Sequence, residues 1–490
     1  MAIVLFNTLG RRKEEFSPLK EGQVRMYVCG PTVYDVTHMG HARSAVAFDA
    51  VRRHLEFSGY RVTFVRNITD VDDKLINKAR ETAGPGEDLK EAVRRVAQRY
   101  TEEFTAAMRS LGVEEPTHEP KATEHIEEMI SLVEKILERG GAYVADGDVY
   151  FRVRAMKGYG KLSGRNVDEL RAGARVAPDE AKEDPVDFAL WKRAKEGEPS
   201  WDSPWGPGRP GWHIECTAMA SKYLGIPFDV HGGGEDLVFP HHEDEIAQCW
   251  GAYGTALARY WLHNGMLTVN REKMSKSLGN FFTCQDVFKR FEPMAVRLFL
   301  LSAHYRGPLD FSDAQLEDAS RALLRLRETF ARAEEAGVSA APLARRPGAP
   351  SPLMERFLQS MDDDFNTAGA LGVAFDASAE VNALLDAGDR RRAGRTLSDL
   401  ATALSVLGVA VGGVSYSLAQ AGGRAMDTER RQALLAGGAA LSDEDIGELL
   451  SERARARAAG DFKLADVIRE ALSGLVVLKD GPEGTRWRRR

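Results

Sequence analysis

At 490 residues, with 43% hydrophobic and 28% charged side chains, the chain has the composition of an ordinary soluble protein and length for roughly two to four domains. No run approaches the ~18 apolar residues of a membrane span, and four cysteines are too few for a disulfide scaffold. A net charge of −7 argues against wholesale wrapping of nucleic acid but leaves room for a local basic patch, such as Arg486-Trp487-Arg488-Arg489-Arg490.

The apolar run at residues 2–6 is too short for a signal peptide, so a cytoplasmic, reduced protein is expected. Residues 24–28 are strand-like, 42–57 carry apolar side chains at helical spacing, and 61–67 are strand-like again. Strand, helix, strand predicts a βαβ unit and a parallel sheet. Helical patterns follow at 72–80 and 89–111, then at 122–139 after a break at Thr117-His118-Glu119-Pro120. Residues 142–144 and 149–153 predict a hairpin around Asp146-Gly147-Asp148. Residues 155–210, rich in Gly, Pro and charge, predict an irregular insertion. A helix at 213–223, a strand at 228–230, the run Gly232-Gly233-Gly234 and a helix at 241–253 predict the second half of one doubly wound, Rossmann-like sheet. From 313 the chain is helical to about 407, interrupted at 340–352. Residues 412–423 fit a linker, and 426–490 a small terminal unit with two helices and a strand at 475–479. No internal repeat is present.

Two short segments carry chemistry. His38-Met39-Gly40-His41 opens the first helix, with both imidazoles on one face. A helix N-terminus offers free N–H groups and a positive dipole end, which suit a triphosphate. Gly40 lets a nucleotide approach the backbone. Lys273-Met274-Ser275-Lys276-Ser277 places two ammonium groups three residues apart, just before Gly279. Singly, these segments fit a capped helix start and a solvated loop. Converging on phosphates, they predict ATP activation. Together, in this order, they resemble the two signature motifs of class I aminoacyl-tRNA synthetases. Met39 replaces the usual isoleucine of the first, and the second matches throughout.

Cys29 ends the first strand, Cys216 lies in Gly211-Trp212-His213-Ile214-Glu215-Cys216, and His241 and Glu245 share a helical face. Two thiols, an imidazole and a carboxylate would complete a Zn²⁺ set. No Cys-x-x-Cys supports it, and from spacing alone a buried strand-end cysteine with a solvated acidic helix start is the plainer alternative. The strings Tyr27-Val28-Cys29-Gly30-Pro31-Thr32-Val33-Tyr34, Ala220-Ser221-Lys222-Tyr223-Leu224-Gly225 and His231-Gly232-Gly233-Gly234-Glu235-Asp236 are similar to the cysteinyl-tRNA synthetase family. So are Asp362-Asp363-Asp364-Phe365-Asn366-Thr367 and Ala465-Asp466-Val467-Ile468-Arg469, and the resemblance runs from about residue 3 to the end.

That resemblance implies zinc held by Cys29, Cys216, His241 and Glu245, with Cys29, Thr69, Trp212 and His241 lining the pocket for substrate cysteine. A plain pocket rejects an isosteric hydroxyl only about a hundredfold. Zinc binds a thiolate well and drives thiol ionisation, whereas a serine hydroxyl is a poorer ligand. An editing domain would then be unnecessary, and segment 115–210 is short for one.

The resemblance also implies attack of the cysteine carboxylate on the α-phosphorus of ATP, with Mg²⁺ accompanying the nucleotide, then transfer to the terminal ribose of tRNA-Cys. His38, His41, Lys273 and Lys276 would contact the phosphates. Gly232, Gly233 and Gly234 would let adenosine lie against the backbone, and Asp236 would accept from the ribose; a strand-to-helix turn and a helix cap are the alternatives. Trp487 resembles a base-stacking residue, with Arg486 and Arg488 as phosphate partners; a frayed basic tail is the alternative. The implied map is a catalytic domain in two halves, 1–114 and 211–265, with a connective insertion at 115–210. A lysine-loop and stem-contact region follows at 266–320, a helical anticodon-binding domain at 321–425 and a C-terminal recognition unit at 426–490, in a monomer. Two rivals stand beside this reading. A cysteine ligase of the mycothiol pathway would lack residues like 426–490, and a non-catalytic zinc or nucleic-acid binding module would not need intact histidines and lysines.

Overall fold

The computed structural model of the protein describes residues 2–172, 182–269, 272–273, 282–411, 417–419, 431–432, 434–435, 441, 443–481 and 484–489. The chain forms two compact units, one of residues 1–326 with 336–410 and one of 327–335 with 411–490.

The first unit opens with a short antiparallel hairpin, β1 (Val4–Asn7) and β2 (Arg12–Glu15). β3 (Gln23–Val28), α1 (Met39–Phe57) and β4 (Arg61–Arg66) then make the βαβ unit, with Val24 opposite Val62 in parallel register. Val24, Met26, Tyr27 and Val28 are all buried, as a parallel strand covered on both faces requires. α2 (Asp73–Thr82), α3 (Leu89–Ser110) and α4 (Ile126–Glu138) follow.

The insertion is more ordered than its composition suggests. The expected hairpin forms from β5 (Ala142–Ala145) and β6 (Asp148–Phe151). After a short helix, α5 (Val167–Ala172), the strands β7 (Phe188–Arg193) and β8 (Gly208–Pro210) extend it into a four-stranded antiparallel sheet, β5-β6-β7-β8. The irregular insertion is thus corrected. Phe188, Leu190 and Trp191 are all buried, with a register shift against β6 beside the last two, and Gly208 must be glycine because a Cβ there would lie 2.2 Å from the Trp191 ring nitrogen.

α6 (Ile214–Leu224), β9 (Phe228–Gly234), α7 (Glu243–Tyr253) and β10 (Ala258–Asn264) return the chain to the central sheet. Its order is β10-β9-β3-β4, and every pairing is parallel. β10 was not expected; its Tyr-Trp-Leu-His-Asn run mixes aromatic and polar side chains, yet all five are buried. The winding reverses between β3 and β9, so ligands belong in the crevice beyond their carboxyl ends.

β11 (Leu267–Val269) pairs antiparallel with β12 (Glu272–Lys273) and parallel with β13 (Leu309–Phe311); α8 (Cys284–Phe288) and α9 (Pro293–Leu301) lie between the last two in sequence. A helical block follows: α10 (Asp313–Glu335), α11 (Pro352–Asp362), α12 (Thr367–Asp386) and α13 (Arg390–Val406). The acidic string at the end of α11 ties it to α1, to β1 and to the turn before β13. Asp362 accepts from His54 Nε2 on α1 at 3.0 Å, and Asp364 accepts from the Phe6 N–H at 2.8 Å and from Arg306 Nε at 2.6 Å. No helix among the described residues is long and apolar enough to cross a membrane.

In the second unit, β14 (Ser417–Ala419), β15 (Val476–Gly481) and β16 (Gly484–Arg489) form an antiparallel sheet in the order β14-β16-β15, with α14 (Asp443–Ala458) and α15 (Phe462–Leu472). Trp487 sits in its core with Ile446, Leu449, Leu450, Ile468 and Leu472, 4% exposed. This corrects the expected stacking ring: a strand, not a frayed tail, ends the described chain, and its alternation turns Trp487 inward. The side chains of Arg486 and Arg488 lie outside the described residues. Trp487→Ala is therefore expected to cost about 3–5 kcal/mol of the small unit's stability through a cavity. Thermal melting checks this; an unshifted transition would contradict the burial.

Candidate active site

The crevice at the switch point holds a cleft of about 360 Å³. Cys29, Thr69, Trp212, Cys216 and His241 line it together with His38, Gly40, His41, Gly234 and Asp236. Residues from both halves of the sheet thus meet in one cavity.

His38 is the N-cap of α1, and the two signature imidazoles cap the helix reciprocally. His38 Nδ1 accepts from the Gly40 N–H at 3.1 Å, and His41 Nδ1 accepts from the His38 N–H at 3.5 Å. The rings stack with centroids 3.7 Å apart. Burial lowers the pKa of His38 to about 4, against an opposing pull from Asp236. Burial also holds His41 well below the usual imidazole range, with His38 adding to the effect. Both rings are therefore neutral at neutral pH. Because each Nδ1 accepts from the backbone, Nε2 carries the proton in both. Each ring can offer a phosphate an Nε2–H donor at the positive end of the helix dipole, whereas the first-turn N–H groups are engaged: Met39 with the Phe282 carbonyl, Gly40 with His38 Nδ1, and His41 and Ala42 with the His38 carbonyl.

The glycine run divides. Gly234 reaches the cleft wall, whereas Gly232 and Gly233 are not among the described residues lining it. They lie inside β9, where a Cβ on Gly232 would meet the Phe48 ring at 2.4 Å and one on Gly233 would meet His242 at 2.8 Å. Their small size serves close packing. Asp236 lines the cleft within electrostatic reach of His38.

The four expected metal ligands come together. Their donor atoms all lie within 4.8 Å of one another. Cys29 Sγ is 3.5 Å from Cys216 Sγ and 3.4 Å from Glu245 Oε1, and His241 Nε2 is 3.2 Å from the same oxygen. In a tetrahedral zinc site with bonds of 2.0–2.3 Å, neighbouring donors stand roughly 3.3–3.8 Å apart. The set fits that ion in spacing and in chemistry: two soft sulfurs, one imidazole, one carboxylate. Burial raises the Cys29 thiol, and the hydrogen bond it donates brings Cys216, against its own burial, down to about 6. One sulfur of the pair is thus poised as a thiolate.

A second grouping, Cys29, His231, His242 and Glu245, shares two of these residues. His231 and His242 do not line the cleft among the described residues, and His242 Nδ1 is 2.7 Å from His263 Nε2. The first set alone opens toward a ligand, as a site that must admit substrate requires.

The surrounding shell orients these groups. His241 Nδ1 lies 3.0 Å from His213 Nδ1, so Nε2 faces the centre, and His213 Nε2 reaches Asp244 at 3.3 Å. Trp212, 38% exposed, lays its ring over His241 with centroids 4.5 Å apart; it is a pocket wall and not a core aromatic. The Thr69 hydroxyl donates to Glu215 at 2.8 Å, so Thr69 shapes the wall with its hydroxyl engaged. Asn67 was not foreseen. Its Oδ1 accepts from the Gly30 N–H at 2.9 Å and lies 3.6 Å from Cys216 Sγ, and its Nδ2 donates to Thr69. A lone asparagine after a strand gives no sequence signal of this. Gly30 could not be replaced, since a Cβ there would stand 1.6 Å from the Asn67 carbonyl oxygen.

Lys273 is described only in its backbone, in β12 opposite Thr268, and Lys276 lies outside the described residues. The chain is next described at residue 282, against the histidine signature: the Met39 N–H donates to the Phe282 carbonyl at 3.1 Å, and the Cys284 N–H to the Thr37 carbonyl at 2.8 Å.

Comparison with known proteins gives three findings. Residues 15–321 match the family described as tRNA synthetases class I (C) catalytic domain, and residues 356–411 match the DALR domain. The cysteine–tRNA ligase of Trichlorobacter lovleyi is 48% identical over 498 residues, with 100% of both chains covered. That of Halorhodospira halophila is 49% identical over 492 residues, with 99% of each covered. Among solved structures, Mycobacterium tuberculosis methionyl-tRNA synthetase in complex with methionyl-adenylate superposes with a TM-score of 0.56 at 16% identity, over 79% of this chain and 89% of that one. The Agrobacterium radiobacter LeuRS ternary complex gives 0.57 at 12% identity, over 82% and 86%. At such identities the two structures speak for the fold alone.

Proposed function

We propose, for a chain that belongs to the cysteine–tRNA ligase family of class I aminoacyl-tRNA synthetases, that the crevice activates L-cysteine with ATP and passes it to tRNA-Cys by way of a cysteinyl-adenylate. The observation that carries this is the convergence, at the switch point, of the Cys29, Cys216, His241 and Glu245 donor set and the helix start that carries His38 and His41.

The chain's own residues have separable tasks. Trp212 and Thr69 wall the cysteine pocket, and the Trp212 ring over His241 keeps water from the thiol. Zinc held by Cys29, Cys216, His241 and Glu245 would accept the substrate sulfur as thiolate, a role a serine hydroxyl fills poorly. The carboxylate then faces the α-phosphorus, and pyrophosphate leaves. Phosphoryl chemistry of this kind needs positioning and charge stabilisation more than covalent help. His38 and His41 donate Nε2–H to the phosphates, and Asp236 accepts from the ribose. Lys273 and Lys276 approach the leaving pyrophosphate, with Mg²⁺ accompanying the nucleotide. Selection at the sulfur makes separate editing unnecessary. The helical block and the small terminal unit take the anticodon end of the tRNA. One chain carries every group named, so a monomer suffices, and the ligand thiols require a reducing compartment such as the cytoplasm.

The test is ATP–pyrophosphate exchange with cysteine and with serine, followed by charging of tRNA-Cys. Exchange is expected to prefer cysteine by well over the roughly hundredfold that a plain pocket provides. Serine within a hundredfold would overturn selection at the sulfur. Exchange without tRNA charging would overturn the second step.

A further inference from the structure

Arg43 lies two residues beyond His41 on α1, and its guanidinium is buried, with the residue only 2% exposed. Among the described residues no carboxylate pairs with it. Its partners are main-chain carbonyls: Nη1 donates to Leu300 at 2.8 Å, and Nη2 to His304 at 3.0 Å, Tyr305 at 3.4 Å and Gly307 at 2.9 Å. Leu300 belongs to the last turn of α9, whose carbonyls lack helical partners and favour a cation. A helix-on-turn contact could be packed with apolar side chains at less desolvation cost. What the guanidinium adds is a directional, several-point fix.

The turn it holds is built into the far wall of the cleft. The Tyr305 carbonyl also accepts from the Gly265 N–H at 2.8 Å, and the Leu309 N–H donates to the Met266 carbonyl at 3.1 Å. Gly265 and Met266 line the cleft. Directly after them, β11 pairs with β13 on one side and with β12, which carries Lys273, on the other. There is no slack at this junction: a Cβ on Gly265 would stand 2.4 Å from the Gly307 carbonyl oxygen. From its other side the turn is held by Asp364, which accepts from the Tyr305 hydroxyl at 3.0 Å and from Arg306 Nε at 2.6 Å.

We propose that Arg43 is a positioning residue that sets the spacing between the histidine signature on α1 and the β11–β12 strand pair in which Lys273 begins the lysine signature, by clamping the 300–307 turn to the first turns of α1. This rests on the proposed role of both signatures at ATP. Arg43 touches no substrate. It fixes where the two phosphate-binding walls stand before ATP enters, and misplacement of about 1 Å at such a site costs on the order of 100-fold in rate. The residues placed around the substrate sulfur, Cys29 after β3, Thr69 after β4, Trp212 and Cys216 at α6 and His241 just before α7, are not among those that Arg43 bonds.

The test uses the full chain with wild type as control and reads cysteine-dependent exchange, zinc content and melting temperature for Arg43→Gln, Arg43→Lys and Gly265→Ala. Arg43→Gln is expected to lower kcat by about 100-fold, with KM for cysteine within about twofold and zinc retained. Arg43→Lys should recover part of the rate, since an ammonium offers three donors. Gly265→Ala displaces the same turn without touching the guanidinium and should give the same kcat-selective loss. A folded Arg43→Gln or Gly265→Ala with wild-type kcat overturns the proposal. So does a loss in which kcat and KM for cysteine shift together, or in which activity merely follows the folded fraction. If Arg43→Gln does not fold, Gly265→Ala decides. Absence of exchange in the wild type would instead defeat the functional reading, a distinguishable result.

Discussion

Cys216→Ser is expected to abolish binding of the proposed zinc and to lower cysteine-dependent exchange by at least about 1,000-fold, because it removes one of the four proposed ligands, where loss of an orienting neighbour alone costs 10–100-fold. Cys216 is 2% exposed, and its sulfur stands 3.5 Å from that of Cys29, at the heart of the donor set. Serine is nearly isosteric, so the fold should survive. Its oxygen is a harder ligand and does not ionise near neutral pH, so it cannot replace the thiolate that Cys216 provides. KM for cysteine should rise along with the loss of kcat, because the proposed zinc would hold the substrate sulfur. Elemental analysis alongside the exchange assay checks both. A metal-free, fully active variant would remove Cys216 from the account.

His41→Ala tests the opposite end of the cleft, with an expected loss of about 10²–10³ in kcat, the usual effect of removing one preorganised donor. The substitution deletes the Nε2–H, leaves the His38 ring without its stacking partner and removes the acceptor of the His38 N–H. Zinc content and KM for cysteine should stay near wild type, since the donor set is held by other elements. The two variants thus separate thiol recognition from phosphate handling. A His41→Ala protein that lost zinc, or that kept its exchange rate, would show that the cleft is not divided in this way.

Sequence and structure agree where one physical signal dominates. β3 and β4 are apolar runs flanking an amphipathic helix, and periodicity alone locates them. The donor set is different: Cys29, Cys216, His241 and Glu245 are scattered, and no local spacing joins them. Only the parallel winding that sets β3 beside β9 brings them to one point, so the residues suggest a site that the fold alone can assemble. β10 escaped because it is an edge strand of the central sheet whose polar His263 and Asn264, both buried, interrupt the apolar run. β7 and β8 were hidden among glycines and charges that serve turns and ion pairs. Trp487 shows the reverse error. Flanking arginines suggest an exposed basic tail, but the segment is a strand paired with β15, and Trp487 is buried in the small unit's core.

The central claim is that substrate cysteine is recognised through its sulfur at the donor set. X-ray absorption at the zinc edge of the purified protein, with and without cysteine, tests this most directly. The account predicts about one zinc per chain, bound by the two sulfurs of Cys29 and Cys216 with nitrogen and oxygen completing the set. On adding cysteine, but not serine, the sulfur count should rise by one. Active enzyme without zinc, or a sulfur count unchanged by saturating cysteine, would contradict it.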